Sequence, residues 1–169
     1  KGREKEIEIP GGREKEISTI VAEAKKKRED VYNAIGERTK DLDGWLSVLS
    51  TCISCHNCQK VCPICYCKEC FFESPLANPK SEELVAHAKM RGSIKMPSDA
   101  LFYHLLRLSH IAASCVSCGM CELACPMDIP LTSIYSSISD KVQHLFNYEA
   151  GRKLEEELPL TVFKEDELE

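Results

Sequence analysis

Residues 52–63 read CISCHNCQKVCP and residues 115–126 read CVSCGMCELACP, so the chain carries the run Cys-x2-Cys-x2-Cys-x3-Cys-Pro twice. Three cysteines at i, i+3 and i+6 can surround one [4Fe–4S] cluster, while the fourth cysteine of each run binds the other cluster. Pro63 and Pro126 follow those fourth cysteines, where a fixed φ helps to turn the chain away. The doubled run therefore predicts two [4Fe–4S] clusters that exchange one ligand each.

The crossed pairing assigns all eight cysteines of the two runs. The first predicted set is Cys52, Cys55, Cys58 and Cys125, and the second is Cys115, Cys118, Cys121 and Cys62. Gly119 is predicted to let backbone amides approach its cluster and hydrogen-bond the sulfurs, because glycine has no side chain. His56 is interpreted as a half-exposed bystander, since four thiolates complete a cluster, and tuning of the cluster's potential is the alternative. The other four histidines are interpreted as surface or capping residues: His87, His104, His110 and His144.

Three of the eleven cysteines are not needed by two clusters. Cys65, Cys67 and Cys70 follow the first run in PICYCKECFF, and three interpretations of them are open. They could bind a third [4Fe–4S] cluster whose fourth ligand lies elsewhere, they could be packed thiols, or two of them could form a redox pair. A stable disulfide is disfavoured in a reducing compartment.

Composition indicates the cellular compartment and argues against membrane and nucleic-acid binding. The chain has 169 residues, 43% of them hydrophobic, a net charge of −5, and an odd number of cysteines at metal-ligand spacing, which favours a reducing compartment. We find no signal peptide and no stretch long enough to span a membrane, so we expect a cytoplasmic protein without direct membrane insertion. Residues 149–169 hold 3 basic and 8 acidic residues, which argues against a nucleic-acid surface. A start at Lys1 suggests a processed, truncated or partial polypeptide.

Periodicity predicts a mainly α protein in three segments. These are an N-terminal arm and docking helix in residues 1–40, a helical two-cluster domain in 41–148, and an extended acidic tail in 149–169. Apolar spacing predicts helices at about 14–36, 42–49, 82–91 and 97–113 and after Pro130. The arm covers residues 3–9 and ends at a turn, and the helix after it is amphipathic.

The ends and faces of these helices follow from particular residues. Asp41 or Asp43 should cap the second helix, Ser81 the third, and Gly92 should end the third. The buried face of the fourth helix should consist of Leu101, Leu105, Leu108 and Ala112, with Phe102 and Leu106 beside it.

The connection between the two runs is long and helical. It has 52 residues, whereas a small bacterial ferredoxin joins its runs through a short β-containing connection, and strand signals are almost absent from residues 40–148. The arrangement resembles the α-helical ferredoxin domains of succinate dehydrogenase iron–sulfur subunits and of the heterodisulfide reductase C subunit.

Residues 40–169 also resemble a more particular family. The stretches CISCHNCQKVCPICYCKECFF, MPSDALFYHLLRLSH, CVSCGMCELACPMDIP and LPLTVFKEDELE look like the C-terminal part of the formate dehydrogenase β subunit of methanogens and related anaerobes. That subunit belongs to the β-subunit family of deazaflavin-coenzyme-reducing hydrogenases and dehydrogenases. The resemblance implies an electron-transfer subunit that is not catalytic by itself.

In that family, single electrons pass between a flavin or deazaflavin site and a partner redox enzyme. The resemblance thus implies FAD in an upstream domain absent from these residues or in a partner flavoprotein. It also implies a formate dehydrogenase catalytic subunit, a hydrogenase or a heterodisulfide reductase as partner. The alternatives are a diffusible two-cluster ferredoxin and a structural zinc module, although zinc explains neither the third cysteine of each run nor the Cys-Pro pairs.

Overall fold

The computed structural model describes residues 11–94 and 96–161, and its regular structure is helical. The helices are α1 (Arg13–Arg38), α2 (Leu42–Leu49), α3 (Asn57–Lys60), α4 (Ser81–Arg91), α5 (Pro97–Ile111), α6 (Met120–Leu123) and α7 (Leu131–Leu145), with a 3₁₀ turn at Phe71–Glu73. No strand occurs among the described residues, so the mainly α prediction is confirmed. The predicted arm at 3–9 and residues 162–169 of the acidic tail lie outside the described residues, and the three-segment division stays a prediction.

The long helix α1 buries little of its apolar stripe. It packs against α7 and α2 near its C-terminal end, where Ile35 is buried. Ile17, Ile20 and Val21, nearer its start, are exposed. Most of the predicted stripe is therefore not covered by the described part of the chain.

Helix α2 joins this region to the cysteine runs. Asp41 is its N-cap, and the Asp41 carboxylate accepts a hydrogen bond of 2.8 Å from the Gly44 amide. Of the two predicted caps, Asp41 thus has this role, and Asp43 lies in the first turn. Val48 and Leu49 are buried where α2 packs against α5.

Helix α4 differs from its prediction at one end. Ser81 is its first helical residue and not its cap, so that prediction is wrong. The cap position belongs to Lys80, whose amide donates to the Glu83 carboxylate over 3.0 Å, because a glutamate at the third helical position can reach back to the chain before the helix. Gly92 ends the helix in the left-handed conformation, with φ of 73°, as predicted.

Helix α5 is the element whose buried face was predicted least well. Leu105 and Phe102 are exposed, Phe102 by 76%, and Leu101 and Leu106 are only partly buried. The buried residues are Ala100, Tyr103, His104, Arg107, Leu108, Ile111 and, just after the helix, Ala112. This face turns a tyrosine, a histidine and an arginine towards the cysteine runs.

Helix α7 completes the core. Leu131, Ile134 and Tyr135 are at most 2% exposed, and Ile138 and Val142 pack against the same core, whereas Leu145 at the end of the helix is exposed. The short helix α6 packs against both α3 and α7. Within the described residues, no helix combines the length and the apolar character needed to cross a membrane.

Candidate metal centres

The first site is a cavity between the loop after α2, helix α5 and the start of α7. Four of its lining residues are cysteines: Cys52, Cys55, Cys58 and Cys125. Cys58 is buried and the other three are partly buried. Ile53, Ile129 and Leu131 give the cavity apolar walls. Three thiols of the first run and one of the second therefore face a common space.

The second site is a cavity lined by residues of α5, α6, α7 and the loops that carry the cysteines. Its four cysteines are Cys62, Cys115, Cys118 and Cys121. Cys118 is exposed, so this site is open to solvent on one side. Ile64, Ile111 and Tyr135 are among its apolar and aromatic walls.

The two cavities divide the eight thiols between them. Each cavity contains one of the two predicted sets of four, including the cysteine exchanged between the runs. No three His, Cys, Asp or Glu side chains in the described ranges come close enough to share a single metal ion. Four thiols spread around one cavity fit a cluster, in which each thiolate binds a different iron atom. That these thiols bind iron stays a prediction.

The backbone of the second run repeats that of the first. Ser54 and Ser117, at equivalent positions, have φ of 52° and 54°. His56 and Gly119 are equivalent too, with φ of 58° and 79°, and they precede the short helices α3 and α6. These left-handed residues bend the chain inside each run, between its first and third cysteines.

Gly119 lines the second cavity, and its backbone conformation explains why glycine occupies this position. A side-chain carbon at this position would meet only the Thr132 hydroxyl at 3.9 Å, so space alone does not require glycine. The left-handed φ does favour it, since a side chain is strained in this conformation. The predicted contact between the Gly119 backbone and a cluster is not tested by this geometry.

His104 is the site residue that the sequence placed wrongly. It is 3% exposed and lies inside the molecule, not at the surface or at a helix end. Its Nδ1 lies 2.7 Å from the Tyr135 hydroxyl and its Nε2 lies 3.4 Å from the Cys52 sulfur. Burial lowers the pKa of His104 to about 4, so the ring is neutral at pH 7. A neutral ring with its proton on Nε2 donates to Cys52 and accepts from Tyr135.

Two aromatic residues enclose the first site. The Tyr103 hydroxyl lies 3.5 Å from the Cys58 sulfur, and burial raises the pKa of the Cys58 thiol. His56 is stacked on the Tyr103 ring at 4.5 Å between centroids, and both residues line the first cavity. His56 is half-buried, as predicted, but this stacking connects it to the site wall.

The three extra cysteines have different neighbours. The pKa of Cys62 is lowered because the Cys65 thiol hydrogen-bonds to it, and the same pairing raises the pKa of Cys65. The Gln59 side-chain amide donates to the Cys70 sulfur over 3.4 Å. Cys67 is exposed. Cys65 therefore contacts Cys62, a predicted ligand of the second site. Cys70 is instead hydrogen-bonded by the Gln59 side chain of α3.

Comparison with known families gives the class of the protein first. Residues 48–129 match the family described as a 4Fe-4S dicluster domain, and this range contains both cavities' cysteines. The chain therefore contains a domain of the 4Fe-4S dicluster type, and the mainly α fold expected from its sequence is confirmed.

The chain is also similar to formate dehydrogenase β subunits. The chain is 34% identical over 148 residues, or 88% of its length, to the F420-dependent formate dehydrogenase subunit beta of Methanocaldococcus jannaschii. It is 35% identical over 127 residues, or 75% of its length, to the F420-dependent formate dehydrogenase 1 subunit beta of Methanococcus maripaludis. The aligned parts are 34% and 29% of those proteins, so the chain spans about a third of the relatives' length. The resemblance to this β-subunit family is confirmed over most of the chain.

Proposed function

We propose that this chain is the two-cluster electron relay of an anaerobic oxidoreductase complex. One [4Fe–4S] cluster is held by Cys52, Cys55, Cys58 and Cys125, and the other by Cys62, Cys115, Cys118 and Cys121. The observation that supports this most directly is the division of eight thiols between two cavities, each with three cysteines of one run and one of the other.

The clusters would supply one-electron chemistry when bound, and the chain's residues set the conditions for it. His104 Nε2 is within hydrogen-bonding distance of the Cys52 sulfur, and the Tyr103 hydroxyl is within hydrogen-bonding distance of the Cys58 sulfur. Hydrogen bonds to ligand sulfurs and burial are the means by which a protein adjusts a cluster's reduction potential. Ile129 in the first cavity and Ile111 in the second are buried and give the sulfurs apolar neighbours.

The two sites are also close along the chain. Cys58 faces the first cavity and Cys62 faces the second, and only four residue steps separate them. A fully extended chain spans at most about 14 Å over four steps. The same bound applies to Cys121 and Cys125, so two short segments hold the sites near one another. Such closeness suits exchange of single electrons between them.

The partners are proposed from the relatives. Because those proteins are named subunits of F420-dependent formate dehydrogenases, we infer that this chain exchanges electrons with a flavin or deazaflavin site and with a second redox subunit. FAD would lie in a neighbouring subunit or in another part of a longer chain. A formate dehydrogenase catalytic subunit, a hydrogenase or a heterodisulfide reductase would make and break the substrate bonds, in a reducing cytoplasm.

We further propose two clusters and not three. Cys65 is engaged with Cys62, and Cys70 with Gln59, while Cys67 is exposed. In this arrangement Cys65 donates a hydrogen bond to a ligand sulfur, which is a supporting and not a ligating role.

Iron and sulfide analysis of the anaerobically purified chain, combined with EPR, tests this function. We expect about eight iron atoms and eight sulfides per chain, brown colour, and two reducible centres. A Cys67→Ser variant is the matched control and should keep all the iron. About twelve iron atoms, reduced to about eight in the variant, would establish a third cluster instead. Colourless zinc protein would refute the relay.

A further inference from the structure

Arg107 is the most deeply buried charged residue of α5. It is 2% exposed, although arginine is rarely buried without a partner of opposite charge. Within the described residues the two ion pairs are His144–Asp140 and Arg152–Glu156, and neither includes Arg107. No carboxylate in these ranges therefore compensates its charge.

The contacts of Arg107 leave part of its guanidinium group unused. Nη2 donates to the Cys58 carbonyl oxygen over 3.0 Å, and the guanidinium carbon lies 4.9 Å from the centre of the Tyr135 ring. Nε and Nη1 are buried and make no hydrogen bond of good geometry with the described residues, although the Cys65 thiol and the Tyr135 hydroxyl lie near enough to interact with the guanidinium group. Leaving two donors of a buried cation unsatisfied is costly, so a group that accepts hydrogen bonds and carries negative charge would fit beside them.

The position of Arg107 relates it to both sites. Its side chain lines the second cavity, and its Nη2 holds the backbone of Cys58, whose thiol faces the first cavity. One cation therefore lies at the wall of the second cavity and holds the backbone of a residue that lines the first.

We propose that Arg107 is a positioning and charge-compensating residue shared by the two clusters, and that it raises the reduction potential of both. The proposal rests on the ligand sets given under Proposed function. Each one-electron reduction adds a negative charge to its site and takes up no other group. A fixed positive charge in a poorly solvated interior stabilises that added charge, because little water is present to screen it.

A structural role alone makes a different prediction. If Arg107 only held the Cys58 carbonyl, its loss would disturb the first site and leave the second unchanged. A shared charge must shift both centres in the same direction. The potentials of the two centres therefore separate the two explanations.

The test is an EPR-monitored redox titration of the iron-loaded chain and of its R107Q variant. We expect R107Q to retain about eight iron atoms and to lower the equilibrium constant for one-electron reduction at least tenfold at both centres. A tenfold change corresponds to about 59 mV for one electron. R107K, which keeps the charge but not the planar fork, should shift both centres less. R38Q, which removes an exposed arginine of α1, should shift neither.

The remaining outcomes of the titration also test the proposed role of Arg107. Unchanged potentials in an iron-replete R107Q variant, a shift at one centre only, or an equal shift in R38Q would overturn the proposal. If R107Q loses its iron, retention of iron by R107K supports the role of charge, and loss from both variants overturns it. A parent chain without iron would instead refute the proposed function, which the iron analysis detects separately.

Discussion

At the scale of single residues, Cys62 and Cys125 determine how the two sites are connected. Each is the fourth cysteine of its own run and comes just after a short helix, yet each lines the cavity that contains the first three cysteines of the other run. If the fourth cysteines stayed with their own runs, the molecule would contain two independent sites. The exchange instead makes every site depend on both runs.

Removal of one exchanged ligand tests this dependence. We expect Cys125→Ala to damage the first site and to leave about four iron atoms in the second. Its EPR spectrum should match that of Cys55→Ala, since both residues line the first cavity, and should differ from that of Cys118→Ala. The opposite match would mean that each run holds its own cluster.

At the scale of elements, the short helix α6 depends on the conformation of the residue before it. Gly119 has a φ of 79°, and the equivalent position before α3 is occupied by His56 with a φ of 58°. The left-handed region costs an ordinary residue roughly 1–2 kcal/mol, and a β-branched residue fits it worst. The start of α6 is therefore sensitive to the shape of this side chain.

We expect Gly119→Val to weaken retention of iron at the second site, because the strain displaces the backbone between Cys118 and Cys121. Gly119→Asn is the matched control, since asparagine tolerates the left-handed region. Iron content and the potential of the second centre are the measurements. A valine variant with parental values for both would contradict the expectation.

Different elements could be predicted from the sequence to different degrees. The bounds of α1 and α2 followed from apolar spacing and, for α2, from the Asp41 cap, because local signals determine them. The four-residue helices α3 and α6 gave no periodic signal. The predicted buried face of α5 was right for Leu108 and Ala112 and wrong for Leu105. Hydrophobicity ranks Leu105 above His104, whereas hydrogen bonding to Cys52 and Tyr135 decides which one is inside.

The cysteine spacing predicted the thiols of the two sites, but it did not predict the other side chains that contact those thiols. The spacing named the eight thiols that line the cavities. Tyr103, Arg107 and Tyr135 carry no motif, and their roles depend on long-range packing of α5 and α7. The sequence of α5 did contain a signal for these residues. Tyr103, His104 and Arg107 are polar or aromatic and lie on one face of a helix, as residues at i, i+1 and i+4 do.

At the scale of the whole molecule, two reduced centres this close should interact magnetically. The four-step connections through α3 and α6, together with the packing of these helices on each other, keep the sites near one another. We expect the EPR spectrum of the fully reduced chain to be broadened by spin coupling. The Cys125→Ala variant, with one centre left, should give a simpler spectrum. A parent spectrum equal to the sum of two single-site spectra would contradict this.

The exchange of cysteines also has a consequence for biosynthesis. As the chain leaves the ribosome, Cys52, Cys55 and Cys58 emerge first, but the cavity that they line lacks its fourth thiol until Cys125 has been made. The other set is complete four residues earlier, at Cys121. The first site, whose cysteines start to emerge earliest, is thus the last to have all four thiols. Cluster insertion must accordingly wait until nearly three quarters of these residues have been translated, so premature termination before the second run yields no complete site.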